Sequence, residues 1–144
     1  MTATGGVFSL DVALAEGTYT LTADATDAAG NKSPSSAGLV LVIDTTAPAA
    51  PTGLALAAAD DTGSSGSDGL TKNTTELTIS GLAEAGSVVE LFDGVTSLGT
   101  VTATGGTFSL DVTLGSGPRT VTARAIDAAG NQSDPSTGLG LVID

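Results

Sequence analysis

Three side chains that carry much of protein chemistry are missing from the sequence: cysteine, histidine and tryptophan. Without cysteine no disulfide can form, and without cysteine and histidine the usual ligands of zinc are absent. Histidine is also the most common general base near neutral pH. The sequence has no nucleophile elbow either, so we expect a protein that is not an enzyme.

Basic residues are scarce as well. Four Lys and Arg stand against 16 Asp and Glu, which gives a formal net charge of −12. Nucleic acids and anionic membranes attract cationic surfaces, so this charge argues against both as partners and favours cations instead. No apolar run approaches the roughly 18 residues of a membrane-spanning helix, and no secretion signal follows Met1. We expect neither nucleic-acid binding nor membrane insertion.

A long internal repeat is the most informative feature that is present. Residues 2–44 align with residues 102–144 without a gap and match at about two positions in three. The period of about 100 residues is that of a small domain. We therefore expect one complete repeat at 45–144, preceded at 1–44 by the C-terminal part of another, which indicates a fragment of a longer array. The linker, residues 44–51, is stiffened by prolines.

Alternating apolar and polar residues predict strands, and helical periodicity is absent. In the first part the predicted strands are residues 8–12, 19–25 and 38–43. In the complete repeat they are residues 52–57, 76–80, 87–92, 97–104, 106–112, 119–127 and 137–143. Seven short strands, with turns at intervals of about ten residues, predict an all-β antiparallel sandwich, with a closed up-and-down barrel as the alternative. Phe8 and Phe108 are predicted core residues.

Five motifs support a family resemblance. They are Asp-Thr-Thr-Ala-Pro at 44–48, Gly-Leu-Ala-Glu-Ala-Gly at 81–86, Leu-Gly-Thr-Val-Thr-Ala at 98–103, Gly-Thr-Phe-Ser at 106–109 and Asp-Ala-Ala-Gly-Asn-Gln-Ser at 127–133. As a set they resemble the bacterial immunoglobulin-like tandem repeats of giant secreted adhesins of the RTX and biofilm type. An antibody-type core Trp and Cys pair are absent. Tyr19 sits where a tyrosine corner could lie, but the second copy has Arg119 there.

The resemblance implies a fold and a function. It implies a seven-stranded immunoglobulin-like β-sandwich that serves as an extender at the bacterial cell surface, between a cell anchor and adhesive tip domains. The partners would be neighbouring repeats of the same polypeptide, and calcium at the domain junctions would stiffen the array.

The acidic residues sort to the two ends of such a sandwich. We call the end where the first strand starts the N-terminal pole, and the end where the last strand stops the C-terminal pole. Turns at the N-terminal pole carry Glu84, Asp127 and Asn131. The first long loop places Asp60, Asp61 and Asp68 at the C-terminal pole, together with Asp144. Because opposite poles abut in a tandem array, carboxylates from both would converge and require a cation.

Calcium fits these residues because it takes six to eight oxygen ligands and tolerates irregular loops. We predict one calcium site at the first junction, formed by Asp44, Glu84, Asp127 and Asn131. We predict a second at the C-terminal pole, formed by Asp60, Asp61, Asp68 and Asp144. The alternative is that the long loop is a solvated surface segment and that residues 127–131 are only a capped turn.

Two other functions remain open. An incomplete domain exposes sheet edges that another chain could complete by strand exchange, giving a self-associating module. A carbohydrate-binding module would need exposed aromatic platforms, for which only Tyr19 and Phe92 are available.

Overall fold

The structure, a computed structural model, describes residues 1–144 and contains ten strands and no helix. The strands are β1 (Gly17–Leu21), β2 (Leu39–Ile43), β3 (Thr52–Leu56), β4 (Leu70–Thr71), β5 (Leu77–Leu82), β6 (Val88–Asp93), β7 (Thr96–Thr102), β8 (Thr107–Val112), β9 (Gly117–Ile126) and β10 (Leu139–Ile143). No element is a helix that could cross a membrane. The chain divides into two units, Met1–Thr45 and Thr46–Asp144.

The second unit is a sandwich of two sheets. One sheet has five strands in the order β4-β10-β9-β6-β7, and the other has three in the order β3-β5-β8. The predicted all-β sandwich is therefore confirmed, and the chain does not form a single closed barrel. The order also agrees with an immunoglobulin-like arrangement, in which the first strand lies in one sheet and the last strand in the other.

The core lies between these sheets and follows from the period-two pattern. Leu77 and Ile79 of β5 face inward from the three-stranded sheet, and Val89 and Leu91 of β6 face inward from the other; all four are fully buried. Phe108, at 4% exposure, belongs to the same cluster. Successive side chains of a strand point to opposite faces, so the polar residues between them remain outside.

The short strand β4 departs from the prediction of a purely antiparallel fold. It runs parallel to β10, with Val142 opposite Leu70 and Ile143 opposite Thr71. The Val142 amide donates to the Gly69 carbonyl at 2.8 Å. Leu70 and Thr71 show no alternation of apolar and polar residues that would predict a strand. Their pairing depends on β10, about 70 positions further along the chain, rather than on local sequence.

In the first unit, the predicted strand at residues 8–12 does not form. Its counterpart β8 pairs along its whole length with β5, and the first unit contains no strand equivalent to β5. Phe8 is consequently 58% exposed, so its prediction as a core residue is wrong. Strand β1 also ends at Leu21, whereas β9 continues to Ile126 because its second half pairs with β6.

Candidate functional site

Seven of the eight candidate metal ligands lie in the loops or at the C-terminal end of the complete sandwich, and Asp44 belongs to the first unit. Glu84 lies in the turn between β5 and β6, and Asp127 begins the loop between β9 and β10. The long loop between β3 and β4 carries the three aspartates Asp60, Asp61 and Asp68. Its last residue lies beside the end of β10, since the Val142 amide donates to the Gly69 carbonyl at 2.8 Å; the Asp144 amide donates to the carbonyl of Thr71, in β4, at 2.9 Å.

Asp127 organises the loop that follows β9. Its Oδ1 accepts bonds from the amides of Ala129 at 2.9 Å and Asn131 at 2.8 Å, and its Oδ2 accepts from Asn131 Nδ2 at 2.8 Å. The hydrogen bond from the Asn131 side chain is the largest cause that lowers the pKa of Asp127 below its ordinary value, and backbone amides add to it. Gly130 adopts a φ of 93°, which glycine reaches without strain.

The same turn recurs in the first unit, where Asn31 donates to Asp27 in the same way and lowers the pKa of that carboxyl. The capped turn is therefore a structural feature of both repeats. Carboxylate oxygens keep further lone pairs after accepting these bonds, so a role for Asp127 and Asn131 in holding calcium stays a prediction.

The three aspartates of the long loop also accept backbone hydrogen bonds. Asp60 Oδ2 accepts from the Thr78 amide at 3.0 Å, at the start of β5. Asp61 Oδ2 accepts from the Gly69 amide at 3.0 Å, and Asp68 Oδ1 accepts from the next amide, Leu70, at 3.1 Å. Asp60 thus bonds the backbone of the three-stranded sheet. Asp61 and Asp68 accept from two consecutive amides, those of Gly69 and Leu70, where the loop leads into β4.

Asp61 differs from the other carboxylates in its burial. Its side chain is 8% exposed, and Oδ1 is a buried oxygen with no hydrogen-bond partner. The ion pair of the structure joins Arg119 to Asp93 at 3.1 Å, so no basic side chain neutralises Asp61. Burying a charged oxygen without a partner is costly, and such atoms in native proteins require an explanation.

The carboxylates do not gather into a larger group. No three Asp or Glu side chains lie close enough together to hold a metal ion by themselves. Asp44, Glu84 and Asp144 are exposed. Any calcium site on these residues would need additional oxygens from backbone carbonyls, hydroxyls or a neighbouring domain.

Concave features in the complete repeat are small. A cavity of about 180 Å³ at the C-terminal pole is lined by Thr62, Gly63, Leu70, Thr71, Lys72 and Asp144. A groove of about 310 Å³ runs between β3 and β10 and is lined by residues 51–54 and 137–140. The groove is lined by no titratable residue, and the cavity by two, Lys72 and Asp144. Both are exposed.

Sequence reasoning missed two serines that stabilise the connection between β9 and β10. Ser133 Oγ accepts from the Ala125 amide at 2.9 Å, and Ser136 Oγ accepts from the Ala123 amide at 2.9 Å. The Ser133 amide also donates to the Ala125 carbonyl, and the Ser136 amide to the Ala123 carbonyl. Each serine therefore satisfies both backbone groups of one alanine, as a paired strand would. The signal was present in the sequence, because Ser33 and Ser36 recur at the same spacing.

The fold and these recurring turns can be compared with known proteins. No curated protein matches the chain. The family model described as "Bacterial Ig-like domain" matches it twice, over residues 1–45 and over residues 47–144. These two matches cover nearly the whole sequence, and the second coincides with the sandwich described above. The chain therefore belongs to the bacterial Ig-like domain family.

Proposed function

We propose that this chain is a structural extender module of a large secreted surface adhesin of the RTX or biofilm type. The observation that carries the proposal is the arrangement of its parts: two units of one family follow each other in tandem. The complete unit starts with β3 at one pole and ends with β10 at the other, so each added repeat lengthens the array. Pro48 and Pro51 restrict the connecting backbone.

The family supports a non-enzymatic, extracellular role. Bacterial Ig-like domains are typically non-enzymatic, and they are often extracellular or surface-associated. The net charge of −12 keeps such a surface soluble and attracts cations. These properties suit a spacer better than a receptor with a defined cleft.

We further propose that calcium stiffens the junctions between successive repeats. At the N-terminal pole the ligands would be Glu84, Asp127 and Asn131, joined by Asp44 of the preceding repeat. Asp127 and Asn131 are held in fixed positions by the turn they share, which suits ligand residues. A bound cation would supply the positive charge that lets carboxylates of two domains approach each other.

The C-terminal pole would supply the second set, Asp60, Asp61, Asp68 and Asp144. The buried Oδ1 of Asp61 is an oxygen that a hard cation would satisfy. Extracellular calcium sites with dissociation constants of about 10⁻⁴ to 10⁻³ M are sufficient where calcium is millimolar. Binding at a hundred times the dissociation constant would add about 2.7 kcal/mol of stability per site.

Small-angle scattering on three tandem copies of residues 45–144 tests both parts of this proposal. With calcium we expect an extended particle with a narrow distribution of lengths, and with chelator a broader distribution. A triple variant, Glu84→Gln, Asp127→Asn and Asp144→Asn in every copy, should resemble the chelated array. Equal scattering with and without calcium would contradict the proposal that calcium stiffens the junctions. A collapsed array in both conditions would contradict the proposed extender function.

Self-association is a second candidate, and the exposed apolar residues of the first unit favour it. Phe8, Leu10 and Val12 are each more than half exposed, whereas Phe108 and Val112 are buried. Exchange between identical chains, however, creates no additional closed sandwich. Each chain holds two copies of the segment ending in Leu-Val-Ile-Asp, but only one β3 to β7 segment to complete them. Dimers in concentration-dependent light scattering, lost in Phe8→Ser, would support this candidate.

A carbohydrate-binding function has less support. Tyr19 is half-buried and its hydroxyl donates to the Ala15 carbonyl at 3.0 Å. Phe92 is half-buried on the central strand β6. Neither ring offers the open, flat surface on which a sugar could stack.

A further inference from the structure

All three asparagines of the chain stand in the same short motif. Asn31, Asn73 and Asn131 are each followed two positions later by serine or threonine, and no proline lies between. Asn-X-Ser/Thr is the acceptor motif for N-linked glycosylation, in which a sugar is joined to the side-chain nitrogen of asparagine. Because the motif is short, its structural context decides which of the three asparagines can accept a sugar.

Hydrogen bonds within the fold occupy the motifs at Asn31 and Asn131. The side-chain nitrogen of each donates to the aspartate four residues earlier at 2.8 Å. The serine two positions later, Ser33 or Ser133, accepts from a backbone amide and donates to the carbonyl of the residue that follows it. Transfer of a sugar to either asparagine would therefore require the turn to open.

The side chains of the motif at Asn73 make no such bonds. Asn73 is half-buried, and its side chain has no hydrogen-bond partner. Its nitrogen is nevertheless open to solvent, because the buried side-chain atom without a partner is Asp61 Oδ1. Thr74 and Thr75 are exposed, and the Thr75 hydroxyl also makes no hydrogen bond. The nitrogen and the hydroxyl of this motif are both accessible.

The backbone at this motif is irregular but anchored. Residues 72–76 connect β4 to β5 and belong to neither strand. The Asn73 amide donates to Thr71 Oγ1 at 3.1 Å, and the Thr74 carbonyl accepts from the Leu114 amide at 3.0 Å. A transferase could therefore engage the side chains of the motif without breaking a strand ladder.

We propose that Asn73 is an acceptor site for N-linked glycosylation, with Thr75 as the hydroxyl residue of the motif. The co-substrate is a sugar whose anomeric carbon is bonded to a phosphate of its carrier, either a nucleotide or a lipid. Asn73 Nδ2 forms a bond to that carbon and loses one proton to a base of the transferase. The bond between the carbon and the phosphate oxygen breaks, and its electron pair leaves with the phosphate.

The site lies at the C-terminal pole of the sandwich. Thr71, two residues before Asn73, accepts from the Asp144 amide at the end of the chain at 2.9 Å. A sugar is bulky and polar, so in a tandem array it would limit how closely the following repeat approaches. This consequence rests on the proposed function, whereas the acceptor site itself does not.

Enzymatic transfer to the full folded chain, followed by peptide mass mapping, is the test. One arm supplies UDP-glucose with a soluble asparagine glucosyltransferase. The other supplies a polyprenyl-pyrophosphate oligosaccharide with a membrane oligosaccharyltransferase, so the arm that works identifies the carrier. We expect sugar on Asn73 and none on Asn31 or Asn131. Synthetic peptides spanning the three motifs lack the fold, so all three should accept the sugar.

Variants of the motif make the outcome specific. Asn73→Gln and Thr75→Ala should lose the transfer, whereas Thr75→Ser keeps the hydroxyl and should retain it. Thr74→Ala changes the exposed residue between them and should match the parent. Absence of sugar on Asn73 in both arms would overturn the proposal. Equal transfer to all three asparagines of the folded chain would also overturn it, because the fold would then not select the site. Neither result bears on the extender function, which scattering of the array tests separately.

Discussion

Tyr19 and Arg119 occupy the same position of the two repeats and donate to the same backbone position. The Tyr19 hydroxyl bonds the Ala15 carbonyl at 3.0 Å, and Arg119 Nε bonds the Gly115 carbonyl at 3.0 Å. Both bonds tie the start of a strand to the turn four residues earlier. The repeats thus conserve this connection with chemically different side chains, and Arg119 adds an ion pair with Asp93 at 3.1 Å.

Replacing Arg119 should test this connection. Arg119→Ala loses the bonds to the Gly115 and Ser116 carbonyls and the partly buried ion pair, so we expect a loss of about 1–2 kcal/mol in the free energy of unfolding. Arg119→Tyr should recover part of that loss, because tyrosine makes the same bond in the first repeat. Urea unfolding measures both, with Arg124→Ala as a control whose bonds are weak at 3.4 Å. Equal losses in the Ala and Tyr variants would contradict the interpretation.

The ring of Phe108 lies directly over Gly81 of the neighbouring strand. A Cβ at Gly81 would lie 2.7 Å and 2.8 Å from two ring carbons and 3.1 Å from the Thr52 carbonyl. Gly81→Ala should therefore cost about 1–3 kcal/mol through overpacking. Gly140→Ala is the control, since nothing lies within 4 Å of a Cβ there. Calorimetry should also show a smaller cost of Gly81→Ala in a Phe108→Leu background, and an unchanged cost would argue against the contact.

Removing the hydroxyl of Ser133 should destabilise the complete repeat. Ser133 is 2% exposed, and Ser133→Ala leaves the buried Ala125 amide without its acceptor. We expect a loss of about 1–3 kcal/mol in urea unfolding. Ser33→Ala removes the same bond in the first unit, where the site is exposed and water can replace it, so its effect should stay within about 0.5 kcal/mol. Similar losses in both variants would show that burial does not decide the effect.

Acid should weaken the turn that follows β9. Folding lowers the pKa of Asp127 below the ordinary value of 3.8, because Asn131 and backbone amides bond the ionised form. The stabilisation is complete above the unfolded pKa and is lost as the pH falls through the folded pKa. Asp127→Asn should therefore be less stable than the parent at pH 7, and the difference should shrink below pH 3.8. A difference that is constant from pH 7 to pH 2 would contradict this account.

Most of the fold could be predicted because strand patterns repeat with a period of two. The two-sheet sandwich, and the strands from Thr52 to Ile143 apart from β4, are readable from alternation and turn residues. The same pattern fails at Phe8, since an alternating segment becomes a strand only where a partner strand exists. It also fails at β4, whose two residues are ordered by a distant pairing.

The candidate site was less predictable than the fold. Sequence alone places Asp60, Asp61 and Asp68 in one loop, but it does not reveal that only Asp61 is buried with an unpartnered oxygen. The sequence also left open whether Asp127 is a calcium ligand or only part of a capped turn, and the structure shows a carboxylate that already accepts three bonds within that turn. Charge counts identify a cation-attracting surface, and the positions of hydrogen-bond donors decide which oxygens remain for an ion.

The parallel pairing of β4 with β10 determines how the complete repeat would respond to pulling. Tension on an array would act between Thr46 and Asp144. Once β3 has separated from β5, that tension would load the parallel strands β4 and β10 in shear instead of peeling them apart. The bonds from the Val142 amide to Gly69 and from the Asp144 amide to Thr71 would then bear the load together. Bonds loaded in shear must break at the same moment, so two short contacts at the end of the last strand would act as the mechanical latch of the domain.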